Sequence, residues 1–365
     1  MTNEFDFNSI IKAFGIENEI EGVNPITDGN INRTYKVTAG GKNYLLQLIN
    51  TFVFKNPDEL MSNISRVTGF LAEKIKARGG DVSRETLTFL PCTDGKLYYK
   101  DENDRCWRLC NFVENSHSYN YLDSPVTYKK AGVAFGNFTN ELADFPGDTL
   151  FETIPDFHNT AKRFEALKTA IEENVAGRRE EVLPEIEWAL SKEDDARKVV
   201  DLIANGELPI RVTHNDTKLN NILFDDATDN PICVIDLDTI MPGVSLYDFG
   251  DSIRYAANTA EEDEKDLSKV DIDFDLYRAY LEGFIESVGT KLTAAEVENL
   301  PFSAKLMSYE CGIRFLTDYL NGDTYFKTLY PTHNLDRCRC QFELVRAIER
   351  NYDELLKITY ETYGK

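Results

Sequence analysis

Hydrophobic and polar positions change their period about a third of the way along the chain. Between residues 20 and 50 the runs "EIEGVNPIT", "RTYKVTA" and "NYLLQLI" are short and rich in β-branched and aromatic residues. Turn residues separate them, at "DGNIN" and at Gly40-Gly41, which predicts three strands joined as hairpins. A helix should follow. Asn56 is a capping residue, Pro57 suits a first helical position, Leu60, Ile64, Val67 and Leu71 recur at helical spacing, and Gly79-Gly80 stops the pattern. Strand-like runs at 86–91, 96–100 and 105–113 then complete an antiparallel sheet carrying one helix. The expectation for residues 1–115 is a small α+β lobe.

From Tyr128 onward the 3.6-residue period dominates, first in "TYKKAGVAFGNFTNELADF" and then over 160–176 and 180–190. Ser191 with Asp194 reads as a capping box opening a helix that Gly206 ends, and helices resume over 272–288, 294–320 and 335–362. Residues 210–236 interrupt this region with three short strands, "IRVTH", "NILFD" and "ICVID", the last two closed into a hairpin by the turn "DATDNP". Residues 116–365 are therefore expected to form a larger, mainly helical lobe. The fold class is α+β, in two lobes.

Composition removes several classes of function. The chain of 365 residues carries 40 basic and 63 acidic residues, a formal charge of −23, which argues against nucleic acid or an anionic membrane surface as partner because both need a basic footprint. A polyanion such as a nucleotide would have to be held by local devices. The seven cysteines are odd in number and scattered, and the Cys338/Cys340 pair has no matching cluster, so reduced thiols fit better than a disulfide frame or a zinc site. "MTNEFDFNSI" lacks the basic and apolar character of a secretory signal, and no apolar run reaches the length of a membrane span. The expectation is a soluble, cytoplasmic protein.

Chemistry concentrates in "VTHNDTKLNNILFDDATDNPICVIDLDT", residues 212–239. The hairpin should return Asp236 toward the turn bearing Asp216 and Asn221, so that oxygen-bearing side chains converge from two ends of a rigid element. Magnesium-assisted phosphoryl transfer has that requirement: Mg²⁺ accepts a few protein oxygens and fills its remaining positions with phosphate and water, while a further carboxylate takes the proton of the attacking hydroxyl.

The H-x-D-x-x-x-x-N pattern at His214, Asp216 and Asn221, with "VID" ending at Asp236, resembles the catalytic loop and metal aspartate of protein kinases and of the aminoglycoside phosphotransferase-like small-molecule kinases. The segments "RVTHNDTKLNNILFD", "CVIDLDTIMPGVSLYDFGDSIR", "ETIPDFHNT" and "RFLTDYLNGDTYF" resemble the N-acetylhexosamine 1-kinases of that superfamily. The resemblance implies a protein-kinase-like fold with a nucleotide-binding small lobe and a catalytic large lobe. It also implies ATP and Mg²⁺ as cofactors, and a small sugar phosphorylated at its anomeric hydroxyl.

Position by position it makes Asp216 the catalytic base, with Lys218 aimed at the γ-phosphate, and it makes Asn221 and Asp236 metal ligands with Asp238 as an accessory. His214 is expected to support the loop and Asp248 to brace it. On the nucleotide side it implies a phosphate turn at Gly29, Asn30 and Asn32, and a hinge at Phe112 and Val113 whose backbone reads adenine. One departure stands out. Where protein kinases carry a phosphate-pairing lysine, the third strand offers Gln47, and the helical glutamate partner has only Glu59 as a candidate.

For the acceptor, Arg314, Asp318 and Tyr319 at helical spacing, and His158 in "PDFHNT", are the candidates. Two alternatives stay open: a cationic acceptor, aminoglycoside or amino alcohol, on the same fold, and a non-catalytic nucleotide-binding module, suggested by Gln47 and opposed by intact Asp216, Asn221 and Asp236. Oligomeric state is not legible.

Overall fold

A computed structural model describes residues 5–27, 31–120 and 124–364. The chain divides into two compact units. The first comprises Met1–His117, Thr149–Pro155 and Leu223–Met241; the second comprises Ser118–Asp148, Asp156–Ile222 and Pro242–Lys365.

The first unit opens with helix α1 (Phe7–Ala13) and the strands β1 (Ile20–Ile26), β2 (Arg33–Ala39) and β3 (Lys42–Leu48). Gly40 and Gly41 both take positive φ, which lets a two-residue turn join β2 to β3 in register from Ala39 opposite Lys42 to Arg33 opposite Leu48. After α2 (Pro57–Ala77) and α3 (Val82–Glu85) come β4 (Tyr99–Lys100), β5 (Cys106–Asn111) and β6 (Ser116–His117). The main sheet is antiparallel in the order β1-β2-β3-β5-β4.

On one face of that sheet Val37, Leu46, Trp107 and Leu109 are fully buried against Phe5, Phe7, Ile10 and Ile11 of the N-terminal segment. Each large apolar side chain so buried contributes about 1.5–3 kcal/mol. The helix α2 starts as its sequence demands: the Asn56 side chain accepts from the Glu59 amide, and Leu60, Ile64, Val67, Leu71 and Ile75 form its buried stripe.

The expected strand at 86–91 is reduced to a bridge of Phe89 with Cys110. The outer edge of β5 is shared between this segment and β4, whose Tyr99 faces Trp107, so neither partner is long.

The second unit is helical. Its helices are α4 (Pro125–Glu141), α5 (Thr160–Glu173), α6 (Leu183–Leu190), α7 (Glu193–Ala204), α8 (Ser245–Ala256), α9 (Phe274–Val288), α10 (Ala294–Glu298), α11 (Leu300–Leu320), α12 (His333–Arg350) and α13 (Tyr352–Tyr363). Close approach of α4 to α9 requires glycine: a Cβ on Gly132 would stand 2.2 Å from the Tyr280 carbonyl oxygen, and one on Gly283 2.1 Å from that of Lys129. Helix α11 is buried along nearly its whole length and packs on α5, α8 and α12.

Helix boundaries depart from expectation in three places. Ser191 closes α6, donating its hydroxyl to the Trp188 carbonyl, and does not cap α7, whose N-cap is Lys192. The expected helix 294–320 breaks at Asn299 ahead of Pro301, and 335–362 breaks at Asn351, whose amide turns back to Ala347. All seven cysteines are free. Among the described residues no helix is long and apolar enough to cross a membrane.

Strands β7 (Arg211–Thr213), β8 (Ile222–Asp225), β9 (Pro231–Val234) and β10 (Met241–Gly243) carry the motif region. β8 pairs with β9 as the expected hairpin, while β6 joins its other edge and β10 pairs with β7.

Candidate active site

In the second unit the loop after β7 is held from below by carboxylates of α8. Asp248 accepts from the backbone amides of His214 at 2.9 Å and Asn215 at 2.7 Å, and Asp251 accepts from Thr217 N at 3.2 Å. The Thr217 hydroxyl donates to the Asp248 carbonyl, and Ser252 Oγ donates to the Thr217 carbonyl. Burial pushes the Asp248 carboxyl above its ordinary range, His214 and the two amides only partly opposing it. "DFG" at 248–250 is thus a brace for the loop. His214, fully buried, lies edge-on to Phe135 and Phe138 and accepts from the Asp216 amide through Nδ1, a scaffolding part.

Anchoring by backbone leaves the side chains of the loop turned outward. Asn215 adopts φ +64, a conformation asparagine tolerates better than most residues. Asp216 keeps 26% of its side chain exposed, 2.8 Å from the Lys218 ammonium. Burial alone would raise the Asp216 carboxyl, but Lys218, His214 and Asn221 outweigh it and hold the group below the usual carboxylate range. The same carboxylate, working against burial, pushes Lys218 upward. Asn221 donates through Nδ2 to the Asp216 carbonyl at 2.7 Å and to its Oδ2 at 3.3 Å, so its own Oδ1 is the atom presented elsewhere.

In the first unit Asp236 follows β9 in a left-handed conformation, φ +57 and ψ +57, with its side chain exposed. A hard oxygen donor at an exposed position fits Mg²⁺, as does an amide oxygen like that of Asn221. Asp238 does not share that outlook. The chain turns as a 3-10 helix over Leu237–Thr239, so the alternation of an extended strand fails, and Asp238 is buried with Oδ1 against Arg108 Nη1 and Oδ2 accepting from Asn32 Nδ2 at 2.5 Å. It is the counter-ion of an arginine, and no oxygen is left facing outward.

Gln47 is explained by the same group. It lies directly opposite Arg108 in the β3–β5 register, accepts from Arg108 Nε at 2.9 Å and donates to Thr34 Oγ1 at 3.1 Å. The counter-ion of Arg108 is Asp238, and Glu59 sits apart in the first turn of α2. Arg108 had one signal in the sequence: a lone charge inside the buried strand "CWRLC" must have a partner.

Of the other nucleotide-side candidates, Gly29 and Asn30 lie outside the described residues. Phe112 lies under the Lys36 ammonium, and the Val113 carbonyl accepts from Ser116 Oγ.

The acceptor-side candidates separate. Asp318 accepts from the amides of Thr324, Tyr325 and Phe326 and from Asn334 Nδ2, capping a loop, and Tyr319 is buried with its hydroxyl on Glu181 and its ring under Arg178. These two are structural supports: Asp318 holds the backbone of the same Tyr325–Phe326 segment whose rings Arg314 meets, and neither side chain is left for an acceptor. His158 is likewise consumed inside the unit, with Nδ1 2.8 Å from Glu310 and Nε2 3.2 Å from the Asn215 carbonyl. It supports the loop that bears Asp216 and has no ring nitrogen left for a substrate.

Arg314 stands beside Phe157, Tyr325 and Phe326, and sequence reading missed its neighbour Arg163, whose Nη2 donates to the Phe157 carbonyl. Burial and then the Arg314 charge lower Arg163, a sign of two guanidinium groups at close quarters.

An antiparallel sheet unit with a helical unit, and a loop presenting Asp216, Lys218 and Asn221, define the protein-kinase-like fold of the aminoglycoside phosphotransferases. The model described as the phosphotransferase enzyme family matches residues 22–280, and the chain belongs to that family. Among solved structures it is similar to an aminoglycoside phosphotransferase from Alicyclobacillus acidocaldarius subsp. acidocaldarius (TM-score 0.60, 13% identity, 100% of this chain and 98% of that one). It is similar also to an ethanolamine kinase from Plasmodium vivax (0.55, 15%, 88% and 82%) and to a spectinomycin phosphotransferase in complex with ADP and spectinomycin (0.53, 12%, 95% and 95%).

Proposed function

We propose that the protein transfers the γ-phosphoryl group of ATP to the anomeric hydroxyl of an N-acetylhexosamine, of the N-acetylglucosamine or N-acetylgalactosamine type, giving the sugar 1-phosphate. The observation that carries the choice of acceptor is the pair Arg163 and Arg314 with its aromatic neighbours. Phe157, which both arginines contact, adjoins His158, and His158 touches Asn215 next to the base. The carboxylate beside the arginines, Glu310, is already engaged by His158 and Thr160 and so offers little to a cationic acceptor. Guanidinium donors and ring faces instead suit a neutral sugar with an acyl carbonyl. The aminoglycoside and amino-alcohol readings are disfavoured on the same ground.

In this reading Asp216 accepts the proton of the acceptor hydroxyl as the phosphorus–oxygen bond forms. A carboxylate held below its usual range is a weak base, and the anomeric hydroxyl, more acidic than an ordinary alcohol, is the sugar hydroxyl matched to it. Lys218 keeps Asp216 ionised and adds a positive charge beside the transferring group. Asn221 and Asp236 would each serve as an oxygen donor of the kind Mg²⁺ takes, and the bound ion would neutralise phosphate charge.

The test supplies ATP and Mg²⁺ with N-acetylglucosamine, N-acetylgalactosamine, galactose, kanamycin or choline, and measures ADP. N-acetylhexosamine-dependent ADP is expected, with Asp216→Asn lowering kcat by about 10²- to 10⁴-fold. ADP release driven only by kanamycin or choline would sink the acceptor assignment, and an unimpaired Asp216→Asn the base assignment.

A further inference from the structure

Resting on the nucleotide-binding part of that reading, we infer that Arg108, Asp238, Gln47 and Asn32 form one buried positioning device that sets the affinity for the nucleotide–magnesium complex by fixing the turn that bears Asp236. The device lies wholly within the first unit. Arg108 is only 2% exposed and Asp238 3%, too deep for direct phosphate contact, yet Asp238 is two residues from exposed Asp236. Arg108 spans the gap between sheet and turn: Nε on Gln47, Nη1 on Asp238, and its guanidinium 5.5 Å from the Phe89 ring centre.

Asn32 adds a second link. Its Nδ2 donates to Asp238 while its Oδ1 accepts from the Asn50 amide at 2.9 Å, so the entrance of β2, the exit of β3 and the Asp236 turn are tied through one side chain. Asp236 takes a left-handed conformation, and these bonds hold the turn that sets it.

A buried ion pair is weak evidence for stability, and replacing both partners by apolar side chains of similar size is often neutral. That separates packing from positioning. The experiment compares wild type with Arg108→Met/Asp238→Leu, reading thermal melting and calorimetric affinity for ADP in Mg²⁺, without acceptor. The expected result is a melting temperature near that of wild type with affinity for Mg·ADP weakened about 10- to 100-fold, as for removal of groups that orient metal ligands.

Wild-type affinity in the double variant would overturn the inference. Should that variant fail to fold, Arg108→Lys and Arg108→Gln decide: Lys, which keeps the charge on Asp238, is expected to retain most of the affinity that Gln loses, and equal affinities would overturn it. No acceptor is involved, so a mistaken sugar assignment leaves the outcome readable, whereas a wild type that binds no Mg·ADP overturns both readings.

Discussion

Two segments bear the residues assigned to phosphoryl transfer, and they are held in opposite ways. The loop carrying Asp216 is fixed through its backbone: amides of residues 214, 215 and 217 run to carboxylates of α8, only some 30 residues away in sequence. The turn carrying Asp236 is fixed through side chains from distant segments: Arg108 of β5, Asn32 just ahead of β2 and Asn63 of α2. A backbone anchor leaves loop side chains available for chemistry. A side-chain anchor commits one carboxylate, Asp238, to holding its neighbour in place.

The largest effect should follow from removing the backbone anchor. Asp248→Ala leaves two buried amides without acceptors, each worth about 1–3 kcal/mol, and regains part of what burying the carboxylate cost, for a net loss of about 2–4 kcal/mol in chemical denaturation. Asp248→Asn, which keeps one acceptor oxygen, should lose less. If Asp248→Ala melted like wild type, the loop would not depend on α8 and the contrast with the turn would collapse.

Next in size is Lys218→Met. With the ammonium 2.8 Å from Asp216, the carboxyl is depressed, so the proposed base should be ionised through neutral pH and the acid-side limb of kcat/KM is expected below the ordinary carboxylate range. Without Lys218, burial is opposed more weakly and the Asp216 carboxyl rises. The acid limb must then move to higher pH, with kcat lower by about 10- to 100-fold from loss of one charge-assisted contact. A lowered kcat with an unmoved limb would show that Lys218 acts on phosphate alone.

What the sequence disclosed follows the same division. Strands β2 and β3 were legible because alternation and Gly40-Gly41 act within a few residues, and α2 because Asn56 and Pro57 mark its start. Asp216, Asn221 and Asp236 stood out as candidates for the same reason, their spacing being local. The partners of the turn were not: Arg108 and Asp238 are 130 positions apart, and only the register of β3 on β5 puts Arg108 opposite Gln47. Asp318 and Tyr319 were misjudged because helical spacing tells which residues share a face and not what the following loop offers them. Asp318 meets three amides of 324–326 that no periodicity announces.

The smallest predicted effect tests the turn from its helical side. Asn63, fully buried on α2, donates through Nδ2 to the carbonyls of Phe151 at 2.8 Å and Ile240 at 3.0 Å and accepts from the Phe151 amide at 2.9 Å. Its three bonds lie within the first unit, and part of this network is accessible to water on the Phe151 side, so Asn63→Ala should cost only about 1–2 kcal/mol. Asn63→Asp should cost more than Ala despite being closer in shape, because a carboxylate would face two carbonyl oxygens where an amide now donates. A ranking reversed in denaturation, Asp milder than Ala, would mean that the Nδ2 bonds do not hold the end of the turn. Arg108 and Asn32 would then carry the anchor without help from the helix.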